Sequence, residues 1–229
     1  MFLNRPNELS LDLSRQLNYF FPRAPFPLDT VSCIQWGLEY QLPYGKVFLD
    51  IGANLGTWTL PYAYSGKPSH VHAWEPQRST RNCILAGVYA NGLDRVITVH
   101  PEALGSAEQV GLRPLNVFTE EGGASSLIKD LGFQWSWIRE EPVEVRTLDS
   151  YKLINVGLVK IDVEGNELNV LKGGRETLEA NHWPPVFFEA WAHDWYKEQK
   201  HALFDYWAGL GYGVHPLIGL PEDFLAVRP

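Results

Sequence analysis

The chain has 229 residues, of which 45% are hydrophobic and 20% are charged, and its formal net charge is −8. This length suits one well-packed domain and is short for two, and an acidic chain whose Lys and Arg residues are scattered is not expected to bind nucleic acid. With only two cysteines, a charged N-terminal segment and no long uncharged run, the sequence predicts a reduced, cytoplasmic protein without a cysteine zinc site, a secretory leader or a membrane span.

The first 45 residues show no regular alternation of strands and helices. They contain the segment FPRAPFP, whose prolines are incompatible with a regular helix. We therefore expect residues 1–45 to form an arm or cap over the core. Residues 46–229 form the main domain, because short apolar strands alternate with longer amphipathic stretches from Lys46 onward.

Three strands are predicted in the first half of this domain. Val47–Ile51 is a buried strand that runs into the glycine turn GANLG, with a helix starting at about Thr57. A second strand, HVHAWEP (70–76), precedes a helix over 77–91 that stops at an Asn-Gly pair. The third strand is RVITVH (95–100), which is rich in β-branched residues.

Residues 104–150 form an insertion that is too long for a simple connection. They include GLRPLNV, EEGGASS and FQWSW, a mixture of polar and aromatic residues. Insertions of this length in a compact domain often contribute lids or binding loops. We expect this one to form part of a ligand site.

The alternation of strands and helices resumes after the insertion. GLVKIDVEG (157–165) and PPVFFEAW (184–191) are strands that end in acidic residues, and the helical segment NELNVLKGGRETLEA separates them. A helix over about 197–210 and two closing strands, GYGVHPLI and DFLAVRP, follow. The pattern predicts a Rossmann-like α/β fold with a mostly parallel sheet and an antiparallel C-terminal hairpin. In such sheets ligands bind beyond the C-terminal ends of the strands.

The segment DIGANLG, from Asp50 to Gly56, carries the strongest indication of chemistry. Its G-x-x-x-G spacing behind an acidic residue differs from the G-x-G-x-x-G pattern of dinucleotide-binding proteins. An acid there would repel a pyrophosphate but suits a cationic sulfonium or ammonium group. Glu75 ends the next strand, where a carboxylate can accept hydrogen bonds from both ribose hydroxyls. The alternative is that the glycines form only a tight turn and that Glu75 is a surface acid.

Together, FLDIGANLG, AWEP, VRTLDS and VKIDVEGNELNVLKGG resemble the FkbM family of S-adenosylmethionine-dependent methyltransferases. The resemblance covers roughly Lys46 to Trp191. It implies a class I methyltransferase sheet of about seven strands and methyl transfer, commonly to a hydroxyl oxygen on a sugar or natural product. The positions it assigns to S-adenosylmethionine are Asp50, Gly52, Ala53, Asn54, Gly56, Glu75, Pro76 and Asp162, with Glu102, Ala103 and Leu104 at the adenine.

An alcohol acceptor requires a base, because its proton must leave as the methyl group is transferred. Asp162 and Glu189 end neighbouring predicted strands, Glu164 lies in the turn after Asp162, and His193 follows Glu189 by four residues. We expect the base among these four, although a solvated loop histidine is the simpler interpretation of His193. Asp162 and Glu189 could alternatively hold Mg²⁺, which prefers oxygen ligands and would activate the acceptor hydroxyl.

Aromatic residues near the expected rim predict an acceptor pocket. Trp135 and Trp137 lie in the insertion, and Trp191 follows the strand that carries Glu189. Aromatic faces can stack on sugars or apolar natural products, although tryptophans also fill cores. Ser125 and Ser126 fall in the serine-containing loop of the family and are included in this predicted acceptor site.

The sequence therefore predicts O-methylation of a small-molecule or glycan acceptor. A nicotinamide-dependent oxidoreductase is the first alternative, and the missing third glycine and Asp50 oppose it. A non-catalytic nucleotide-binding protein is the second alternative. The presence of Asp50, Glu75 and Asp162 argues against this second alternative.

Overall fold

A computed structural model describes residues 45–119, 124–129, 137–217 and 220–228. The predicted N-terminal arm therefore lies outside the described residues, apart from Gly45. The described part contains a main sheet of seven strands. These strands are β1 (Val47–Ile51), β2 (His70–Trp74), β3 (Ile97–His100), β8 (Val156–Ile161), β9 (Val186–Glu189), β10 (Gly213–Leu217) and β11 (Leu220–Val227).

The main sheet has the strand order β10-β11-β9-β8-β1-β2-β3. Its strands β9, β8, β1, β2 and β3 run parallel, whereas β11 pairs antiparallel with both β9 and β10. The predicted Rossmann-like fold with an antiparallel C-terminal hairpin is confirmed. Because β1 and β8 are central neighbours, the turns that follow them lie side by side at the same edge of the sheet.

Five α-helices in the described residues flank this sheet. The helix predicted over 166–180 is two helices in the structure, because the backbone turns at Gly173–Gly174. A Cβ atom on Gly173 would lie 2.0 Å from the Gly105 carbonyl oxygen, so only glycine permits this close approach. The helices are α1 (Thr59–Tyr64), α2 (Arg78–Ala90), α3 (Glu167–Lys172), α4 (Arg175–Ala180) and α5 (Lys197–Gly209).

Alternate residues of the strands belong to two hydrophobic clusters, one on each face of the sheet. Phe48 packs with residues of α1 and α2 on one face, whereas the next residue, Leu49, packs with residues of α3, α4 and α5 on the other. Both side chains are fully buried. This alternation is the period of two expected for a sheet covered on both faces. No helix within the described ranges combines the length and apolar character that a membrane span needs.

The predicted insertion folds mainly as a second, four-stranded sheet. Its strands are β4 (Ala103–Leu104), β5 (Gly111–Val117), β6 (Ser125–Ser126) and β7 (Arg139–Arg146), in the order β4-β7-β5-β6. Leu115, Val143 and Val145 form a small core of its own. The described part of the insertion thus lies beside the main sheet, at the edge where the turns after β1 and β8 lie.

Candidate active site

The glycine turn after β1 is held against two neighbouring strands. The backbone N–H groups of Gly52 and Ala53 both donate to the carbonyl oxygen of Trp74 at the end of β2, at 3.0 and 2.9 Å. Gly52 has a φ of +78°, and a Cβ atom on it would lie only 1.7 Å from the carbonyl oxygen of Asp162. Glycine is therefore required at this position both for the backbone conformation and for the close approach to β8.

Glu75 organises the same turn from the end of β2. Its two carboxylate oxygens accept hydrogen bonds from the backbone N–H of Asn54 (2.7 Å) and of Gln77 (2.9 Å). Burial raises the pKa of Glu75 to about 7, against the lowering effect of these hydrogen bonds. Asn54 itself has a φ of +51°, so Glu75 stabilises a left-handed turn residue.

A cleft opens between this turn, the end of β8 and the second sheet. Ten of the predicted site residues line it together with residues that sequence reasoning did not select, among them Leu115 and Leu127 of the insertion. The predicted residues in its lining are Gly52, Asn54, Glu75, Pro76, Glu102, Ala103, Leu104, Ser125, Asp162 and Glu164.

Three predicted cofactor-binding residues do not line this cleft. Ala53 is buried and packs with the hydrophobic cluster of α1 and α2. Gly56, with a φ of +86°, lies close to Leu60 and Ile84. Asp50 is fully buried and accepts a hydrogen bond from the Thr59 hydroxyl at 2.5 Å. These residues support the turn from beneath.

Lys160 is a buried cation in this region that sequence reasoning missed. Its Nζ donates to the Gly52 carbonyl oxygen at 2.6 Å and lies 3.2 Å from Asp162 Oδ2 and 3.5 Å from Asp50 Oδ1. Only 3% of the side chain is exposed. The neighbouring carboxylates of Asp162 and Asp50 raise the pKa of Lys160 against the lowering effect of burial, so it remains charged near neutral pH. The sequence feature that could have identified Lys160 is its position within an otherwise apolar strand, GLVKI.

Glu102 closes the end of the cleft that is predicted to hold the adenine. Its Oε1 lies 3.8 Å from Arg146 Nε, and the Glu102 side chain is 18% exposed. Its Oε2 is buried, and the carboxylate interacts with the Tyr151 side chain. Glu102 lines the cleft and is partly exposed, so its carboxylate can accept a hydrogen bond from a ligand amino group.

Three carboxyl groups meet at the opposite end of the cleft, where Asp162 and Glu164 line it and Glu189 lies behind the lining. Asp162, Glu164 and Glu189 each offer an oxygen, and these oxygens lie within 4.8 Å of one another. Burial, and then the charges of Asp162 and Glu164, raise the pKa of Glu189 to about 10. Burial and Asp162 likewise raise the pKa of Glu164 to about 9. Near neutral pH these two groups hold protons, or else require a cation beside them.

The two serines of β6 connect the insertion to both walls of the cleft. The Ser125 hydroxyl donates to Gln77 Oε1 at 2.5 Å, next to the Glu75 carboxylate. The Ser126 hydroxyl donates to the Glu164 carbonyl oxygen at 2.7 Å. Glu164 has a φ of +56°, so Ser126 helps to hold a left-handed turn that presents the acidic cluster. Of the two serines, only Ser125 lines the cleft, so only Ser125 can contact an acceptor directly.

His193, Trp191 and Trp137 do not line the cleft. His193 is exposed and stacks on Trp195. Trp191 is only 6% exposed and packs against Trp195 and Tyr196, so its ring belongs to the core. Trp137 is 48% exposed, with Lys129 Nζ over its ring. Trp135 lies outside the described residues.

Comparison with known proteins identifies a family. The model of the methyltransferase FkbM domain matches residues 50–215, which include the glycine turn, Glu75 and the acidic cluster. Among solved structures, the methyltransferase FkbM from Methylobacillus flagellatus KT is similar, with 19% identity and a TM-score of 0.53. The match covers 96% of this chain but only 57% of that one, so this chain spans little more than half the length of that relative.

Two further solved structures share the fold at lower identity. A putative rRNA methylase from Clostridium thermocellum is 10% identical with a TM-score of 0.56, and the match covers 90% of this chain and 97% of that one. The precorrin-6y C5,15-methyltransferase from Geobacter metallireducens GS-15 is 13% identical with a TM-score of 0.53, over 90% and 92% of the two chains. No curated protein sequence matches the chain.

Proposed function

The chain belongs to the methyltransferase FkbM domain family, and from this premise we propose that it transfers a methyl group from S-adenosylmethionine to a hydroxyl oxygen of a small acceptor, such as a sugar, a glycoconjugate or a natural product. S-adenosylmethionine supplies the electrophilic methyl group on its sulfonium. The protein's part is to bind and align the donor and the acceptor and to remove the acceptor proton.

The observation that carries this proposal is the chemical polarity of the cleft. One end presents the Glu102 carboxylate, the middle presents Glu75 beside the glycine turn, and the other end presents Asp162 and Glu164. In the proposal, Glu102 accepts from the adenine amino group and Glu75 from the ribose hydroxyls. The cationic sulfonium then faces the acidic end. A pyrophosphate would meet acidic side chains and no Lys or Arg among the described lining residues, which disfavours a nicotinamide dinucleotide.

Asp162 is the proposed base among the four candidates. It lines the cleft and its side chain is 37% exposed, so an acceptor can reach it. Glu189 and Glu164 are less suited to accept a proton near neutral pH, because their raised pKa values keep them protonated. Because Glu164 lines the cleft, its protonated carboxyl can donate a hydrogen bond that orients a hydroxylated acceptor. His193 is exposed outside the cleft lining and is not assigned a role.

The acidic cluster also fits a divalent cation by its chemistry. Asp162, Glu164 and Glu189 offer only carboxylate oxygens, the donors that Mg²⁺ prefers. When bound, such an ion would lower the pKa of an acceptor hydroxyl and orient it. It would also replace the protons that Glu164 and Glu189 otherwise hold. Metal dependence is therefore a separate branch of the proposal.

Calorimetric titration tests donor binding without knowledge of the acceptor. S-adenosylhomocysteine should bind the wild-type protein and NAD should not, whereas the reverse result would favour an oxidoreductase. Turnover of the methyl donor against a panel of sugars and polyphenols then tests catalysis. Donor binding without turnover on any acceptor would favour the non-catalytic alternative. Turnover that is unchanged by EDTA would remove the metal branch.

A further inference from the structure

Lys160 lies at the junction between the donor-binding turn and the acidic end of the cleft. It is on β8, the strand next to β1 at the centre of the main sheet. Its side chain is almost completely buried, so it approaches the cleft from behind rather than lining it. A buried ammonium is unfavourable unless acceptors surround it.

The acceptors around Lys160 come from both walls of the cleft. The Gly52 carbonyl oxygen, at 2.6 Å, belongs to the turn after β1. Asp162 Oδ2, at 3.2 Å, belongs to the end of β8, and Asp50 Oδ1, at 3.5 Å, lies beneath the turn. The ammonium therefore makes one hydrogen bond to a backbone carbonyl oxygen and ion-pair contacts with two carboxylates.

The same two walls are in backbone contact at this point. The space beside the Gly52 Cα is filled by the Asp162 carbonyl oxygen, and the Asp162 backbone N–H donates to the Ile51 carbonyl oxygen at 3.0 Å. Lys160 adds the only side-chain cation to this contact within the described residues. Gly52 and Asp162 both line the cleft, so a shift of either would move the surface that faces the ligand.

We propose that Lys160 is a positioning residue for the methyl donor: its buried ammonium fixes the Gly52 turn against Asp162, and thereby sets the distance between the donor-binding turn and the acidic end of the cleft. The inference rests on the proposed function. It differs from a purely structural role, in which Lys160 would only neutralise the buried carboxylate of Asp50.

Four variants separate the two roles. K160M removes the ammonium while keeping an unbranched chain of similar length. D50N and the double variant K160M/D50N remove the buried negative charge that K160M leaves unpaired. N181A is the matched control, because Asn181 Oδ1 accepts from the Val156 N–H at 2.9 Å and so stabilises the opposite end of the same strand. The probe is S-adenosylhomocysteine, titrated by calorimetry at a temperature where every variant is folded, and urea unfolding reports stability.

If Lys160 has the positioning role, ligand affinity and folding stability should change independently of each other among these variants. K160M should lose stability and bind S-adenosylhomocysteine on the order of tenfold more weakly, because the Gly52 turn is no longer held where it binds the donor. K160M/D50N should regain stability, because no buried carboxylate is left unpaired, but should keep the weak affinity. D50N alone measures the effect of the Asp50 change on affinity and is the reference for K160M/D50N, which should bind more weakly than D50N. N181A should lose stability and keep an affinity within about twofold of the wild type.

Two results would overturn the inference. One is a K160M protein with wild-type affinity, and the other is a K160M/D50N protein that regains stability and affinity together. Either result counts against the inference only if the wild-type protein binds S-adenosylhomocysteine. If the wild-type protein itself bound no S-adenosylhomocysteine, the proposed function would fail first and the role of Lys160 with it, so the two failures are distinguishable.

Discussion

Replacing Gly52 by alanine tests whether the close contact between the glycine turn and β8 forms the donor site. The φ of +78° at Gly52 is unfavourable for any residue with a Cβ atom, by about 1–2 kcal/mol. The added Cβ would lie 1.7 Å from the Asp162 carbonyl oxygen, whereas such contacts are essentially never shorter than 3.0 Å. The two backbones must therefore separate by about 1.3 Å, the difference between these distances.

Gly66 provides a matched control with the same backbone conformation. Its φ is +68°, and no atom lies within 4 Å of the position that a Cβ atom would occupy. G66A should therefore lose only the conformational contribution of about 1–2 kcal/mol. G52A should lose a further amount of about 1–3 kcal/mol, typical of overpacking against atoms that cannot move freely.

Urea unfolding measures these losses, and calorimetry with S-adenosylhomocysteine measures their effect on the site. G66A should bind with wild-type affinity, whereas G52A should bind on the order of tenfold more weakly, because the surface that faces the ligand is displaced. If G52A were as stable as G66A and bound equally well, the contact between Gly52 and Asp162 would not form the donor site.

Three further predictions concern the acidic end of the cleft. D162N should reduce turnover at saturating S-adenosylmethionine at least about a hundredfold; turnover near the wild-type value would exclude Asp162 as the base. Because burial and neighbouring charges raise the pKa of Glu189 to about 10, the folded protein keeps a proton that the unfolded chain releases near pH 4.5. Unfolding free energy should therefore fall as pH rises through this window, and E189Q should weaken that fall in urea titrations; an identical pH dependence would contradict the assignment. H193A should leave turnover within about twofold of the wild type, since His193 is exposed outside the cleft lining, and a large loss would return it to the candidate bases.

The main sheet could be predicted because its strands follow simple rules. Val47–Ile51 and Val156–Ile161 are apolar runs, as expected for central parallel strands buried on both faces. The acids at the ends of these strands could be predicted to meet, because parallel neighbours bring their C-terminal ends to one edge. The structure brings Asp162, Glu164 and Glu189 together at this edge.

The second sheet could not be predicted because its strands contain residues that are typical of loops. β5 begins at Gly111 and contains Pro114, and β7 contains Pro142. The two prolines lie opposite each other in the register of this antiparallel pair. A proline lowers the expectation of a strand because it lacks a backbone N–H, so the long-range pairing outweighs the local pattern.

The sequence also did not show which charged and aromatic side chains are buried. Lys160 is a buried charge whose position is explained by Gly52, a residue on another strand end and distant in the chain. Trp191 was predicted at the acceptor rim, but its ring packs with Trp195 and Tyr196 in the core. Burial of both side chains depends on tertiary packing, which local spacing does not encode.

A crystal structure of the protein with S-adenosylhomocysteine bound tests the central claim most directly. The account predicts the ribose hydroxyls at Glu75, the adenine amino group toward Glu102 and the sulfur toward Asp162. A ligand bound in the opposite orientation, with the sulfur toward Glu102, or bound outside this cleft, would contradict the account.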